Sequence, residues 1–160
     1  MNDSLLPNHI AIIPDGNRRW ASARGINKIE GHIAGYNAMV SLIDEALKIG
    51  IKYLTFFCFS TENQKRSEQE VSYLKNIFYK YLKLNIPKLI KNNIKLNVIG
   101  DISYFDDKII TIINSAVSKT CECNKLTLTI ALNYGSHLEI VNATKNIAKD
   151  VIAQDRKSVV

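Results

Sequence analysis

Short apolar segments alternate with longer amphipathic ones along the chain, and this alternation constrains the fold more than any other feature. The apolar segments, each ending near turn residues, are His9–Ile13, Lys52–Phe59, Ile94–Ile99 and Leu126–Leu132. Near-continuous apolar runs of this length are typical of strands that are buried on both faces. Strict alternation with helices predicts one open α/β domain, with a mostly parallel sheet, right-handed crossovers and helices on both faces.

The amphipathic segments carry apolar residues at helical spacing and local start or stop signals. Helices are predicted over His32–Ile49, from Ser67, over about Asp106–Lys119, and from Ser136 to about Val151. Gly50 is a typical helix stop, and Ser67 and Ser136 each open the capping-box pattern Ser-x-x-Glu. Pro87 is expected to kink or interrupt the helix that begins at Ser67.

Composition and charge exclude several classes of protein. No apolar run approaches the roughly 20 residues of a membrane span, and the N-terminus lacks a basic segment followed by an apolar one, so a cytoplasmic protein without a transmembrane segment is expected. The three cysteines form no C-x-x-C pair and are predicted to be reduced thiols. The net charge of +6 is spread along the chain without a basic stripe interleaved with aromatics, so no nucleic-acid partner is predicted.

Polar residues follow each predicted strand at the point where it ends. The segments are Asp15–Arg19, Ser60–Arg66, Gly100–Asp101 and Asn133–Gly135. Because parallel strands bring their carboxyl ends to one edge of the sheet, these four loops are expected to meet where open α/β sheets bind ligands. The first two loops offer the richest chemistry.

The first loop combines residue types that suit an anion bound through a metal ion. Gly16 permits a sharp turn, and the helical turn that follows can direct N–H groups at an anion. Arg18 and Arg19 can bind phosphate oxygens, whereas Asp15 would repel a phosphate unless it held Mg²⁺. Since nucleotide-binding glycine motifs are absent, the pattern favours a diphosphate bound through magnesium. The structural alternative is a plain Asp-Gly-Asn turn in which Asp15 caps the next helix.

The chain resembles the cis-prenyltransferases, the undecaprenyl diphosphate synthases, in five segments that follow in the expected order and spacing. These are HIAIIPDGNRRWA (His9–Ala21), GHIAGY (Gly31–Tyr36), FCFSTENQKRSEQEV (Phe57–Val71), VIGD (Val98–Asp101) and Leu126–Val141. The resemblance covers nearly the whole chain to about Val151. It implies the fold of that family and the condensation of isopentenyl diphosphate onto an allylic diphosphate, usually farnesyl diphosphate, in the cis sense. The product would be a polyprenyl diphosphate lipid carrier destined for the membrane, and the full-length form a homodimer.

The resemblance also implies roles for individual residues. Asp15 would hold Mg²⁺ at the allylic diphosphate and is one catalytic candidate. Asn63, the other, corresponds to the residue usually assigned as proton acceptor; because an amide is a weak base, we expect it to orient a phosphate or water that takes the proton. The implied substrate-binding residues are Gly16, Asn17, Arg18, Arg19, Trp20, Lys28, His32, Ser60, Thr61, Glu62, Gln64 and Arg66. Trp20 would pack against the prenyl chain.

A hydrocarbon product requires an apolar tunnel, which the family builds between helices and sheet. Candidates here are Phe57, Phe59, Val71, Leu74, Ile77, Phe78 and Tyr81. The same spacing is also typical of an ordinary core, so both interpretations stay open.

The sequence departs from the family pattern at several positions. Pro14 stands where methionine is usual, Gln64 where tryptophan is typical, Lys28 where arginine is frequent, and Ser136–His137 where a Gly-Arg or Gly-Gly pair is common. Replacing arginine by lysine exchanges a planar fork of donors for a point charge.

The family's late Arg-Thr-Gly-Gly-Glu segment, which binds isopentenyl diphosphate, has no counterpart in this sequence. We therefore expect residues 1–153 to form a truncated domain, an incomplete copy with weak allylic diphosphate binding and no activity of its own. Residues 154–160 are expected to be a tail foreign to the family, since a common sequencing adapter encodes DRKSVV. A non-catalytic partner subunit of a prenyltransferase is the alternative interpretation.

Overall fold

Strands and helices alternate along residues 6–152, the part of the chain that the computed structural model describes. The strands are β1 (His9–Ile12), β2 (Tyr53–Ser60), β3 (Ile94–Ile99) and β4 (Leu126–Tyr134). The helices are α1 (Asn17–Ser22), α2 (Lys28–Ile49), α3 (Glu68–Lys91), α4 (Asp107–Lys119) and α5 (Ser136–Ile152). Short 3₁₀ turns follow β2 at Thr61–Lys65 and β3 at Ile102–Tyr104. The predicted tail at 154–160 lies outside the described residues.

All four strands pair in parallel, in the order β1–β2–β4–β3. This confirms the predicted open parallel sheet and brings the carboxyl ends of the strands to one edge. The strand predictions differ from the structure only at their ends: β1 stops one residue earlier, and β4 extends to Tyr134.

One face of the sheet carries the core. Leu54, Leu128 and Leu96 lie in register across β2, β4 and β3, and all three are buried. The next row, Thr55, Thr129 and Asn97, projects from the opposite face and is half-buried or exposed. The expectation of strands buried on both faces was therefore wrong for this row, because threonine, lysine and asparagine alternate with the apolar residues of β3 and β4.

Helices α2, α3 and α4 complete this core. Ala46 of α2 and Leu82, Ile86 and Leu89 of α3 are buried against the apolar face of the sheet. Helix α4 contributes Ile109, Ile113 and Ala116. At the edge of the sheet, buried Thr120 accepts a hydrogen bond from the backbone N–H of Leu96 through its hydroxyl, which satisfies a donor that no neighbouring strand pairs.

Helix α2 begins at Lys28, four residues before the predicted start at His32. Its N-cap is Asn27, whose side chain accepts a hydrogen bond from the N–H of Ile29 at 3.0 Å. Glu30 follows in the first turn, so Asn27-x-x-Glu30 was a usable start signal.

Helix α3 continues through Pro87 to Lys91, so the predicted interruption does not occur. Proline in a helix interior costs about 3 kcal/mol through its missing donor and its clash with the preceding turn. Ile86 and Leu89 are buried on either side of Pro87, and this packing outweighs the local cost.

The two predicted capping boxes are realised differently. Ser67 accepts a hydrogen bond from the N–H of Glu70 and is the N-cap of α3, as predicted. Ser136, in contrast, is the first residue of α5, and the carboxylate of Glu139 accepts a hydrogen bond from the Tyr134 hydroxyl. Among the described residues, no helix is long and apolar enough to cross a membrane.

Candidate active site

The chain turns sharply after β1 and presents Asp15 to solvent. Gly16 makes the turn with a φ of 90°, in the left-handed region that favours glycine. Oδ1 of Asp15 accepts a hydrogen bond from the N–H of Gly16 at 2.5 Å, and Oδ2 accepts one from Nη2 of Arg19 at 3.2 Å. The Asp15 side chain is 76% exposed. The carboxylate is thus oriented by its neighbours but remains open to a ligand.

Helix α1 reaches this position because it lies very close to α2. A Cβ atom added at Gly31 would stand 2.2 Å from the carbonyl oxygen of Asn17 and 3.0 Å from Cβ of Ala21. Ala21 is fully buried at this contact. The close approach fixes where Asn17, Arg18 and Arg19 project.

The 3₁₀ turn after β2 holds Asn63 in a defined orientation. Oδ1 of Asn63 accepts a hydrogen bond from the backbone N–H of Ser60 at 2.9 Å, as part of a capping box with Ser60. The amide oxygen is therefore occupied, and the NH₂ group is left to donate. An oriented donor is what an anionic ligand requires.

Glu70 connects the loops that follow β1 and β2. Its carboxylate lies 3.0 Å from Nη1 of Arg66 and 3.6 Å from Nη1 of Arg18, and its side chain is only 20% exposed. A single carboxylate thus positions two arginines from separate loops. The sequence interpretation treated Glu70 only as part of a capping box and missed this role.

A polar cavity of about 1030 Å³ opens at this edge of the sheet. The predicted site residues that line it are Asp15, Gly16, Asn17, Arg18, Arg19, Lys28, His32, Ser60, Asn63 and Arg66. Residues 15–19 come from the first loop, Lys28 and His32 from α2, and the others from the second loop. The expected meeting of the first two loops is therefore present.

Four predicted site residues do not line this cavity: Trp20, Thr61, Glu62 and Gln64. Trp20 is 40% exposed, and the guanidinium carbon of Arg24 lies 4.2 Å from its ring centroid. Thr61 faces the start of α5, with Oγ1 2.5 Å from where a Cβ of Gly135 would lie. Glu62 is exposed in the 3₁₀ turn.

Gln64 is part of a hydrogen-bond network whose members do not line the polar cavity. Its Nε2 donates to Oδ1 of Asn133 at 2.5 Å, and Nδ2 of Asn133 donates to the carbonyl oxygen of Asp101 at 3.0 Å. Asn133 is 1% exposed. Through this buried amide the loops after β2 and β3 are joined to the carboxyl end of β4.

His32 lies between the polar cavity and a second, apolar one, and it lines both. Its Nε2 atom is buried and has no hydrogen-bond partner among the described residues. Burial lowers the pKa of His32 below 6.5, the positive charges of Arg66 and Arg18 lower it further, and Glu70 opposes them. An uncharged imidazole with a buried, unsatisfied nitrogen suits a polar group supplied by a ligand.

The apolar cavity measures about 200 Å³ and lies between α2, α3 and the core face of the sheet. Its wall is shared with the polar cavity at Pro14, Asn17, His32, Cys58 and Leu74. Of the tunnel candidates, those that line it are Phe59, Leu74, Ile77, Phe78 and Tyr81. Phe57 lines the polar cavity instead, and Val71 is part of the core.

The thiol of Cys58 lies in this shared wall. Burial raises the pKa of Cys58 to about 12, so the thiol stays protonated and unreactive near neutral pH. Within residues 6–152, histidine, cysteine and acidic side chains form no group of three or more that could hold a metal ion.

Comparisons with known proteins agree on one family. The Prenyltransf family model, which describes undecaprenyl diphosphate synthase, matches residues 13–159. An enzyme of Haemophilus ducreyi named ditrans,polycis-undecaprenyl-diphosphate synthase ((2E,6E)-farnesyl-diphosphate specific) is 44% identical over 148 residues, 92% of this chain and 61% of that protein. An isoprenyl transferase of Clostridium perfringens is 42% identical over 151 residues, 94% of this chain and 60% of its own length. The chain thus spans about three fifths of these curated relatives.

Solved structures give the same result. The crystal structure of lavandulyl diphosphate synthase from Lavandula x intermedia, in complex with dimethylallyl diphosphate, is similar with a TM-score of 0.90 and 33% identity, covering 94% of this chain and 65% of that one. A structure described as a probable undecaprenyl diphosphate synthase from Campylobacter jejuni has a TM-score of 0.73 and 31% identity, covering 94% and 64%.

Proposed function

The chain belongs to the undecaprenyl diphosphate synthase family, and from this premise we propose that its site takes part in cis-prenyl transfer. In this reaction isopentenyl diphosphate adds to an allylic diphosphate, and the product is a polyprenyl diphosphate. Farnesyl diphosphate is the starter we propose, in line with the name of the Haemophilus ducreyi relative.

One observation carries the proposal: a polar, cation-rich cavity lies next to an apolar one, and the two share five lining residues. Arg18, Arg19, Lys28 and Arg66 line the polar cavity, whereas the residues lining the other are largely apolar. An amphiphile with an anionic head and a hydrocarbon tail matches this arrangement. An allylic diphosphate is such a molecule.

Asp15 is the residue that we propose as the magnesium ligand. Its exposed carboxylate is the only acidic side chain among the described residues that line the polar cavity, and Mg²⁺ is commonly held by one or two carboxylates together with substrate phosphates. The residues therefore fit an ion that is completed by the diphosphate rather than by a protein cage. Bound there, Mg²⁺ would neutralise charge on the leaving diphosphate.

The arginines stabilise the same developing charge. As the allylic carbon–oxygen bond breaks, negative charge builds on the diphosphate, and guanidinium groups fixed beforehand need little reorganisation to meet it. Glu70 holds Arg66 and Arg18 in place before the substrate arrives. The cavity can thus stabilise the diphosphate as it leaves.

Asn63 and His32 supply neutral contacts. The NH₂ group of Asn63 donates to a diphosphate oxygen, since its carbonyl oxygen is already bonded to Ser60. Nε2 of His32 is buried and has no hydrogen-bond partner in the described chain. In the tautomer that carries the proton on Nε2, this nitrogen also donates to a diphosphate oxygen. The proton lost after attack of isopentenyl diphosphate goes to a phosphate or water that Asn63 orients.

Binding of farnesyl diphosphate, measured calorimetrically with and without Mg²⁺, tests the proposal. We expect Mg²⁺ to strengthen binding to the purified chain, and Asp15→Asn to remove most of that gain, about tenfold or more for the loss of one charged contact. Asp107→Asn, an exposed carboxylate on α4, is the matched control and should bind like the wild type. Equal Mg²⁺ dependence in the wild type and Asp15→Asn would contradict the proposal.

We also propose that the full-length protein works in the cytoplasm as a homodimer whose product enters the membrane. Ile140, Ile147 and Val151 recur at helical spacing on α5, and all three are exposed. Apolar faces of this kind are typical of contacts with other protein surfaces. Sedimentation of the full-length protein measures its state of association, and a monomer at assay concentrations would contradict the homodimer.

A further inference from the structure

Helix α2 carries a second glycine on the side that faces α1. Gly35 lies four residues after Gly31, about one helical turn, so both glycines are on the same side of α2. Glycine in the middle of a helix is less stable than alanine, because it loses more conformational freedom on folding. A glycine at this position is therefore expected to leave room for a neighbouring group.

The group that occupies this room is the side-chain amide of Asn17, the first residue of α1. A Cβ atom added at Gly35 would overlap Oδ1 of Asn17 and would stand 2.8 Å from its Cγ and Nδ2 atoms. Nδ2 of Asn17 also donates a hydrogen bond to the carbonyl oxygen of Pro14 at 3.3 Å. The amide is thus held between the first loop and the backbone of α2.

The two glycines of α2 meet different parts of Asn17. At Gly31 the nearest atom is the backbone carbonyl oxygen of Asn17, whereas at Gly35 it is the side-chain amide. A side chain at position 31 would therefore displace helix α1 as a whole. A side chain at position 35 would displace only the amide, because the end of a side chain can rotate away while the backbone stays in place.

The orientation of Asn17 matters because of where this residue lies. It is half-buried and lines both the polar and the apolar cavity. Its NH₂ group has two hydrogens to donate, and the carbonyl oxygen of Pro14 accepts one of them. The second is left for a ligand, at the boundary where an anionic head would join its hydrocarbon tail.

We propose that Gly35 is a positioning residue for ligand binding: because it has no side chain, the amide of Asn17 lies against α2 and directs its second N–H at the junction between the head and the tail of the ligand. The inference rests on the proposed function, in which that ligand is an allylic diphosphate, and it adds a residue that acts only through Asn17. A Cβ at position 35 turns the amide away, and its hydrogen bond to the ligand is lost. Losing one hydrogen bond to a charged group weakens binding about tenfold.

A double-mutant cycle on the full chain tests this proposal. The variants are Gly35→Ala, Asn17→Ala and the two combined. Calorimetry measures their affinity for dimethylallyl diphosphate with Mg²⁺, and urea unfolding measures their stability. The comparison is Gly31→Ala, alone and combined with Asn17→Ala, since its clash is with backbone atoms that Asn17→Ala retains.

The side-chain amide resonances of Asn17 add a measurement that needs no ligand. NMR spectra identify these resonances by their absence in Asn17→Ala. They should shift in Gly35→Ala, because the new Cβ occupies the place where the amide lies.

We expect Gly35→Ala to weaken binding about tenfold in the wild-type background and to have no further effect in Asn17→Ala, which itself binds about tenfold more weakly. The urea midpoint of Gly35→Ala should not fall, because alanine favours a helix more than glycine does. Gly31→Ala should instead weaken binding in both backgrounds and lower the midpoint.

Three results would overturn the inference: wild-type binding by Gly35→Ala, a loss that adds to that of Asn17→Ala, or unchanged Asn17 amide resonances in Gly35→Ala. If those resonances shift while neither the wild type nor any variant binds the diphosphate, Gly35 positions the amide and the proposed function fails.

Discussion

His32 shows how one side chain can report on the whole site. Its imidazole is held uncharged by burial and by two arginines, yet it borders a cavity that we propose for an anion. An anion bound there would favour the imidazolium form. It would therefore raise the pKa of His32, against the effects of burial and of the two arginines. The proton equilibrium of His32 is therefore a direct probe of the cavity.

We predict that the pKa of His32, followed by NMR, lies below 6.5 in the free protein and rises when pyrophosphate is added. Because the folded pKa is lowered, the unfolded chain binds the proton more readily, so this contribution to stability is present above pH 6.5 and is lost as the pH falls towards the folded value. His32→Gln should reduce that acid sensitivity and identifies the resonance. A free-protein pKa at or above 6.5 would contradict the prediction.

Local sequence patterns located most of the residues that line the polar cavity, but they did not reveal all of the contacts these residues make. The motif containing Asp15 and that containing Asn63 each follow a predicted strand, so their convergence follows from parallel pairing. Glu70 was missed because its partner Arg18 is distant in sequence and no local pattern links them. The hydrogen bond of Gln64 joins residues 69 positions apart and could not be inferred from either loop alone.

At the scale of elements, the contact between α1 and α2 determines where the first loop projects. Helix α1 is only six residues long and cannot be stable by itself. It is held by its close approach to α2 at Gly31, where no side chain larger than hydrogen fits. The position of Arg18 and Arg19 therefore depends on a glycine that does not line the polar cavity.

We predict that Gly31→Ala pushes α1 away from α2 and weakens pyrophosphate binding about tenfold, with a loss of stability of about 1–3 kcal/mol from overpacking. Urea unfolding and calorimetry measure the two effects. Asn37→Ala, exposed on the same helix, is the control and should change neither. If Gly31→Ala bound pyrophosphate like the wild type, α1 would not depend on this contact.

Element boundaries were predictable where both local and tertiary preferences agreed. The prediction of β3 matched the structure, and Ser67 caps α3 as predicted. Helix α4 begins at Asp107, one residue after its predicted start at about Asp106, and ends at Lys119 as predicted. At Pro87 the local and tertiary preferences disagreed. Proline locally disfavours a helix, whereas burial of the neighbouring side chains stabilises the continued helix. The extent of that burial cannot be read from the sequence, so only the structure showed that the helix continues.

At the scale of the whole molecule, the carboxyl ends of strands far apart in the chain meet at one edge of the sheet. Asn133 joins three of these ends, since it receives a hydrogen bond from Gln64 and donates one to Asp101. With φ at 48° it also adopts a backbone conformation that asparagine tolerates better than most residues. A buried amide thus links the ends of β2, β3 and β4 through hydrogen bonds.

We predict that Asn133→Ala costs about 1–3 kcal/mol of stability, because its part-buried hydrogen bonds to Gln64 and to the carbonyl oxygen of Asp101 are lost. The loss appears as a lower urea midpoint with an unchanged slope. Asn142→Ala, exposed on α5, is the control. A wild-type midpoint for Asn133→Ala would show that water replaces the amide at no cost.

The wall shared by the two cavities has a consequence for how such a protein can diverge. Five residues line both cavities: Pro14, Asn17, His32, Cys58 and Leu74. Under the proposed function, a substitution at one of them would alter binding of the anionic head and of the hydrocarbon tail together, so selection would act on it through both. Positions farther along α2 and α3 line the apolar cavity alone. New preferences for the hydrocarbon tail should therefore evolve through substitutions in those later turns of α2 and α3, while the residues shared by the two cavities stay unchanged.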